Sequence, residues 1–174
     1  MRQIQIYENA DILCGELAEA LPIPASISEP IHIALSGGST PTLLFEKMTA
    51  VDDPDAFMNT HFYWVDERHV PEDDPESNYA VFRRLLVDTG IVSAENVHPI
   101  KYHPDIHQMT ANYEQVLRKH VPFEDGYPLF DEIVLGVGED GHTASIFPDR
   151  LDLFETTDIV ATTRHPVTGQ GRVT

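Results

Sequence analysis

Ile31-His32-Ile33-Ala34-Leu35-Ser36-Gly37-Gly38-Ser39-Thr40-Pro41-Thr42-Leu43-Leu44 is the stretch on which the fold turns. A short β-rich run enters two glycines directly, and a helical pattern through Leu43, Leu44 and Met48 follows at once. Strand, glycine turn and helix in this order make the opening half of a parallel β-α-β unit. The unit recurs downstream: His61 to Val65 reads as a strand, residues 66–78 as a long polar loop, and Tyr79 to Val87 as a helix with Ser77 as its cap. Val97 to Ile100 is a weak strand, Asp105 to His120 a helix, Phe130 to Leu135 a strand, and Ile159 to Thr162 the last clear strand candidate. Upstream, Ile4 to Tyr7 alternates apolar and polar like a strand. Asn9 or Asp11 then caps a helix carrying Ile12, Leu13, Leu17 and Ala20, which Pro22 and Pro24 end. The alternation predicts an α/β fold, a doubly wound and mostly parallel sheet in one domain over residues 1–174, with ligands at the carboxyl ends of the strands.

Composition narrows the function. Hydrophobic residues make up 41% and charged residues 23% of 174, ordinary for a folded globular chain. The net charge is -18, from 11 Lys+Arg against 29 Asp+Glu, without a basic cluster. Nucleic acid and anionic membrane are poor partners for such a surface. An anionic small molecule must instead be held by backbone N–H groups and a few well-placed cations. The single cysteine, Cys14, excludes an intramolecular disulfide and lies in an apolar helical pattern, as a buried thiol. No signal-peptide-like or membrane-length apolar run occurs, so the cytoplasm is the default expectation.

Three segments after apolar strands carry chemistry. In Ser36 to Pro41 two glycines let the backbone turn tightly, Ser39 or Thr40 can cap a helix opening at Pro41, and the free N–H groups of that helix start attract a phosphate. Taken alone, the same residues also make a plain strand-to-helix turn. In Trp64 to Pro71, Asp66, Glu67 and Arg68 offer an acid or base beside a guanidinium, or else a local ion pair on a solvated loop. In Leu135 to Ser145, three glycines at 136, 138 and 141 frame Asp140 and His142. Imidazole is the natural general base near neutral pH, and a neighbouring carboxylate orients it, although a His in a surface glycine turn is the plainer alternative. The GxGxxG spacing of those glycines comes too late in the chain for a dinucleotide fingerprint. Nine histidines are scattered singly, without HExxH or CxxC spacing, so a metal-independent reaction is expected.

With these segments in order, the sequence resembles the 6-phosphogluconolactonase family, whose members carry SGGSTP, W-x-DER-x-VP, SNY and G-x-G-x-DGHTAS-x-FP. Here they stand at Ser36 to Pro41, Trp64 to Pro71, Ser77 to Tyr79, and Gly136 to Pro148. The resemblance implies the three-layer fold shared with glucosamine-6-phosphate deaminase and ribose-5-phosphate isomerase, and hydrolysis of 6-phosphogluconolactone to 6-phosphogluconate without a cofactor. It implies that Ser36, Gly37, Gly38, Ser39 and Thr40 hold the phosphate. Arg68 assists at the phosphate or at developing charge, Arg172 is a further basic ligand, and His142 with Asp140 activates water. Ser145 as a nucleophile is the weaker idea, for it lacks a nucleophile elbow. The deaminase branch carries GHIAFNEP and a tyrosine after its Asp-Glu, where this chain has Thr143 to Pro148 without a glutamate, and Arg68. A binding protein without turnover is the alternative from another class. Family members usually run on beyond an R-V/I-T motif, and this chain ends at Arg172-Val173-Thr174. The resemblance therefore implies that the last strand or strands and a covering helix are missing, and that the chain alone is poorly soluble or weakly active. The sequence leaves the oligomeric state open.

Overall fold

The computed structural model describes residues 3–21, 29–53 and 55–174. In chain order the elements are α1 (Ala10–Ala20), β1 (Ile31–Leu35), α2 (Ser39–Met48), β2 (Thr60–Trp64), β3 (Glu67–Arg68) and α3 (Asn78–Phe82), the last continuing into a π-helical turn at Arg83–Val87. After them come β4 (Val97–His98), α4 (Ile106–His120), the hairpin β5 (Phe123–Glu124) and β6 (Tyr127–Pro128), β7 (Glu132–Val134), β8 (Thr162–Arg164) and β9 (Gly171–Val173).

The central sheet has the order β4-β2-β1-β7, and all three of its pairings are parallel. β1 is buried at every residue, as a parallel strand with covered faces should be, and its apolar run is why it occupies the centre. Phe62 and Trp64 of β2 turn one way and meet Phe82 of α3, whose ring also meets Phe45 of α2, and α2 packs against α1. Tyr63 turns the other way, and α4 covers that face: Tyr113 donates its hydroxyl to the Trp64 carbonyl and accepts from the Trp64 N–H, each at 2.9 Å. Helices thus lie on both faces of a parallel sheet, the three-layer α/β architecture that the alternation predicts.

Local signals explain most boundaries. Asn9 caps α1 by accepting from Ile12 N at 3.0 Å, Ser77 caps α3, and Asp105 caps α4. Cys14 is buried on α1 as expected. Pro22 and Pro24 lie outside the described residues. Some expectations are corrected. Residues 4–7 pair with no strand among the described residues, and Ile4 and Ile6 stand 80% and 91% exposed, since alternation yields a strand only where a ladder partner exists. α2 starts at Ser39 instead of Pro41, and Gly38, at φ 105°, is its cap; neither Ser39 nor Thr40 caps it. The expected strand at 159–162 lies at Thr162–Arg164.

A second sheet, β3-β9-β8, is antiparallel. It pairs Glu67 with Val173 and Arg68 with Arg172, tying the segment after β2 to the far end of the sequence. On the open side of the central sheet β7 is an edge strand, with Ile133, Leu135 and Val137 each more than half exposed.

Candidate active site

Ser36 follows β1, Asp66 stands two residues beyond β2, and Gly136 two residues beyond β7, so three adjacent parallel strands deliver the three marked segments to one end of the sheet. They enclose a cleft of about 370 Å³ walled by residues 36–41, by Asp66, Arg68 and Asn78, and by residues 136–138, His142 and Ala144.

The glycine turn is held by its neighbours. Ser36 is buried, its hydroxyl donating to the Val134 carbonyl at 2.9 Å and accepting from Gly136 N at 3.3 Å, so it staples the turn to the third segment. Gly37 has no room for a side chain: a β-carbon there would lie 1.8 Å from Oδ1 of Asn78. Gly38 takes a positive φ that side chains rarely adopt, which aims the first turn of α2 into the cleft. Gly37, Gly38, Ser39 and Thr40 all line the cleft at the start of a ten-residue helix, where unpaired N–H groups and the positive end of the helix dipole favour an anion.

In the second segment the two acids part company. Glu67 is 2% exposed and points away from solvent to cap α3. Its oxygens accept from Arg68 N (2.7 Å), Asn78 N (2.8 Å), Ser77 Oγ (2.9 Å) and Tyr79 N (3.0 Å). It is structural. Asp66 is the acid on the cleft wall; burial pushes its carboxyl up, while the Ser145 hydroxyl, Arg68, Arg172 and His142 pull the other way. Arg68 is the one cationic Lys or Arg side chain on the wall among the described residues, and its Nη1 donates to the Glu76 carbonyl. Arg172 pairs in register with Arg68 but is not on the wall; it is 8% exposed and donates to Oε1 of Gln170. Burial and the Arg68 charge push its guanidinium down from the ordinary value.

The third segment folds back on itself. Gly138 N donates to the His142 carbonyl at 2.8 Å, Gly141 N to the Gly138 carbonyl at 2.9 Å, and Thr143 Oγ1 to the Gly136 carbonyl at 3.0 Å. The result is one compact body presenting His142. Asp140 Oδ1 meets His142 Nδ1 at 2.5 Å and also accepts from the His142 backbone N–H at 3.2 Å. The same contact with the His142 ring holds the Asp140 carboxyl below its ordinary range. With Nδ1 occupied, the imidazole keeps Nε2 for a ligand, the arrangement of a carboxylate-oriented base. The Ser145 hydroxyl is buried and donates to Asp66, not to the His142 ring.

The structure therefore brings His142, Arg68 and the 36–40 turn to one cleft, while Asp140 is off the wall and reaches it through the His142 ring, and Arg172 is off the wall as well. Sequence reasoning offered Asp66 and Glu67 together as candidate acids, of which only Asp66 is on the wall, and missed Asn78 as the residue packed against Gly37. The signal available for Asp66 was its place directly after an apolar strand. Among the described residues no group of three or more His, Cys, Asp or Glu side chains is arranged to hold a metal ion. No described helix is long and apolar enough to cross a membrane.

Residues 8–174 match the family model described as glucosamine-6-phosphate isomerases/6-phosphogluconolactonase. The chain is 40% identical over 171 residues to a 6-phosphogluconolactonase of Haemophilus influenzae, covering 96% of this chain and 71% of that one. A crystal structure of devB protein superposes with a TM-score of 0.90 at 37% identity, covering 98% of this chain and 72% of that one. The 6-phosphogluconolactonase structure from Trypanosoma brucei gives 0.85 at 28% identity, covering 100% of this chain and 76% of that one.

Proposed function

Since the chain belongs to the family of glucosamine-6-phosphate isomerases and 6-phosphogluconolactonases, we propose that its cleft hydrolyses 6-phospho-D-glucono-1,5-lactone to 6-phospho-D-gluconate, a step of the oxidative pentose phosphate pathway, with His142 as the base. The curated relatives carry the lactonase name, and Arg68 and the glutamate-free stretch Thr143 to Pro148 are the lactonase forms of the two segments where the deaminase pattern differs.

The observation that carries the mechanism is the 2.5 Å contact of Asp140 with Nδ1 of His142, a residue that lines the same cleft as the glycine turn. The substrate phosphate docks at the start of α2, where N–H groups and the helix dipole supply positive potential that a chain of net charge -18 otherwise lacks. Arg68 adds the guanidinium of the wall. His142 Nε2 takes a proton from water as the water oxygen bonds to the lactone carbonyl carbon, and negative charge develops on the carbonyl oxygen. The tetrahedral intermediate then re-forms the carbonyl and breaks the bond to the ring oxygen, which receives the proton from the imidazolium. The product acid loses its proton to solvent. Asp140 stabilises the imidazolium that exists between the two transfers, and general base catalysis of this kind contributes roughly 10²–10⁴-fold. A lactone is an activated ester, so no covalent intermediate is required.

The test is a comparison of substrates. Catalysed hydrolysis of 6-phosphogluconolactone above the spontaneous rate, with kcat/KM lower by at least about 10²-fold for the unphosphorylated lactone, is expected if the start of α2 binds phosphate. Ammonia release from glucosamine 6-phosphate at a comparable rate contradicts the reading.

A further inference from the structure

Ser145 and Asp66 lie 79 positions apart in sequence, yet the Ser145 hydroxyl donates to Asp66 Oδ2 at 2.5 Å. Both are buried, at 1% and 7% exposure. Asp66 belongs to the segment after β2 and stands on the cleft wall, whereas Ser145 leaves the His142 loop and is not on the wall. The Ser145 N–H donates in addition to Thr174 Oγ1 at 3.2 Å, just beyond β9. Ser145 is thus the point at which the exit of the loop is fastened to two other segments.

The loop needs fastening there. Its internal hydrogen bonds make residues 136–146 one compact body, which Ser36 anchors where it begins, through Gly136 N. Between His142 and Ser145 the backbone passes through Ala144 at φ 49°, a left-handed conformation that is unfavourable for any residue with a β-carbon. A conformation of this kind persists only where the surroundings impose it. The turn is closed locally by Ile146 N, which donates to the Thr143 carbonyl at 2.9 Å, and what ties that turn to other segments is the pair of hydrogen bonds made by Ser145. Asp140 cannot supply that tie, because it travels with the same loop as His142 and fixes only the ring within the loop.

We propose that Ser145 is a positioning residue for the lactonase reaction: by hanging the loop exit on the Asp66 carboxyl, it sets where the His142 ring stands relative to the wall that carries Asp66 and Arg68. The inference rests on His142 being the base. It gives the buried serine of the third segment a role other than nucleophile, and Asp66 a role as the strut against which the loop is set.

A double-mutant cycle in the full chain tests it, with kcat and KM for 6-phosphogluconolactone measured in the wild type, Ser145→Ala, His142→Ala and the double variant, and with unfolding midpoints as the control for folding. Ser145→Ala is expected to lower kcat roughly 10- to 100-fold through misplacement of the base, with KM within about threefold. Ser145→Thr, which keeps the hydroxyl, should recover most of that loss. In the His142→Ala background the Ser145 substitution should cost less than about twofold, because the group it positions is gone. Wild-type kcat for Ser145→Ala, or the same fold loss in both backgrounds, overturns the proposal while leaving His142 as base. Wild-type turnover by His142→Ala overturns the base assignment itself and the positioning role with it. If Ser145→Ala does not fold, Ser145→Cys, of similar shape and a weak donor, carries the same cycle.

Discussion

A β-carbon placed on Gly138 would lie 2.3 Å from both Nδ1 and Cε1 of the His142 ring, and 2.9 Å from Oδ1 of Asp140. The glycine therefore fixes where the His-Asp pair stands, because any larger residue at 138 occupies the space the ring needs. Gly138→Ala is expected to lower kcat by roughly 10²-fold, the usual consequence of moving a catalytic group by about an ångström. The unfolding midpoint should change little, since the loop is largely exposed. Wild-type kcat in a folded Gly138→Ala protein contradicts this geometry.

Glu67 predicts a stability effect without a catalytic origin. Its carboxylate accepts four hydrogen bonds while almost fully buried, three of them from the start of α3, which ends against the Phe45, Phe62 and Trp64 cluster. Glu67→Ala strands those donors and should destabilise the fold by about 3 kcal/mol or more. Glu67→Gln, which keeps one acceptor oxygen, should cost less. Urea unfolding at neutral pH measures both, and a loss below roughly 1 kcal/mol for the alanine variant argues against the capping role.

The other end of the sheet predicts a pH dependence. His32 on β1, His61 on β2 and His98 on β4 share the face covered by α4, where His120 joins them. His61 Nδ1 and His98 Nε2 are 2.9 Å apart, and the His98 ring stacks on Tyr63 and meets His120. Burial first, then the neighbouring histidines and Lys119, lowers His98 to about 4, while His32, His61 and His120 are lowered as well; only Asp131, beside His32, opposes this. A base whose pKa is depressed on folding contributes stability that is complete above its unfolded value near 6.5 and is lost as pH falls towards the folded value. The four histidines should accordingly cost stability as pH falls from 6.5 to 4, with His98, the most strongly lowered, contributing most. His98→Phe keeps a ring against Tyr63 and removes the titration, so its unfolding midpoint should vary less over that window. An unchanged pH dependence contradicts the assignment.

What was legible in the sequence was what neighbours in the chain determine. The strand at Ile31–Leu35, the glycine turn, the caps at Asn9 and Ser77 and the helix after Asp105 all follow from residues a few positions apart, and the parallel sheet follows from their alternation. The antiparallel sheet did not show itself, because β3 is two residues long and its pairing with β9 joins positions about a hundred residues apart. Residues 4–7 failed for the converse reason: their alternation is local, but a ladder partner is not. At the site, His142 and Asp140 were legible because one tight loop brings them together. The Ser145 contact with Asp66 was not, because no pattern in either segment marks the other. Glu67 looked like a candidate acid, and only its partners reveal it as a cap.

The central claim is that His142 is the base of a phosphorylated-lactone hydrolase, and the most direct measurement is kcat of His142→Ala on 6-phosphogluconolactone, corrected for spontaneous hydrolysis, alongside its affinity for 6-phosphogluconate. The account predicts a kcat at least about 10²-fold below wild type with product affinity retained, as follows if the proposed phosphate site at the start of α2, and not the imidazole, holds the product. Turnover near the wild-type rate would contradict it.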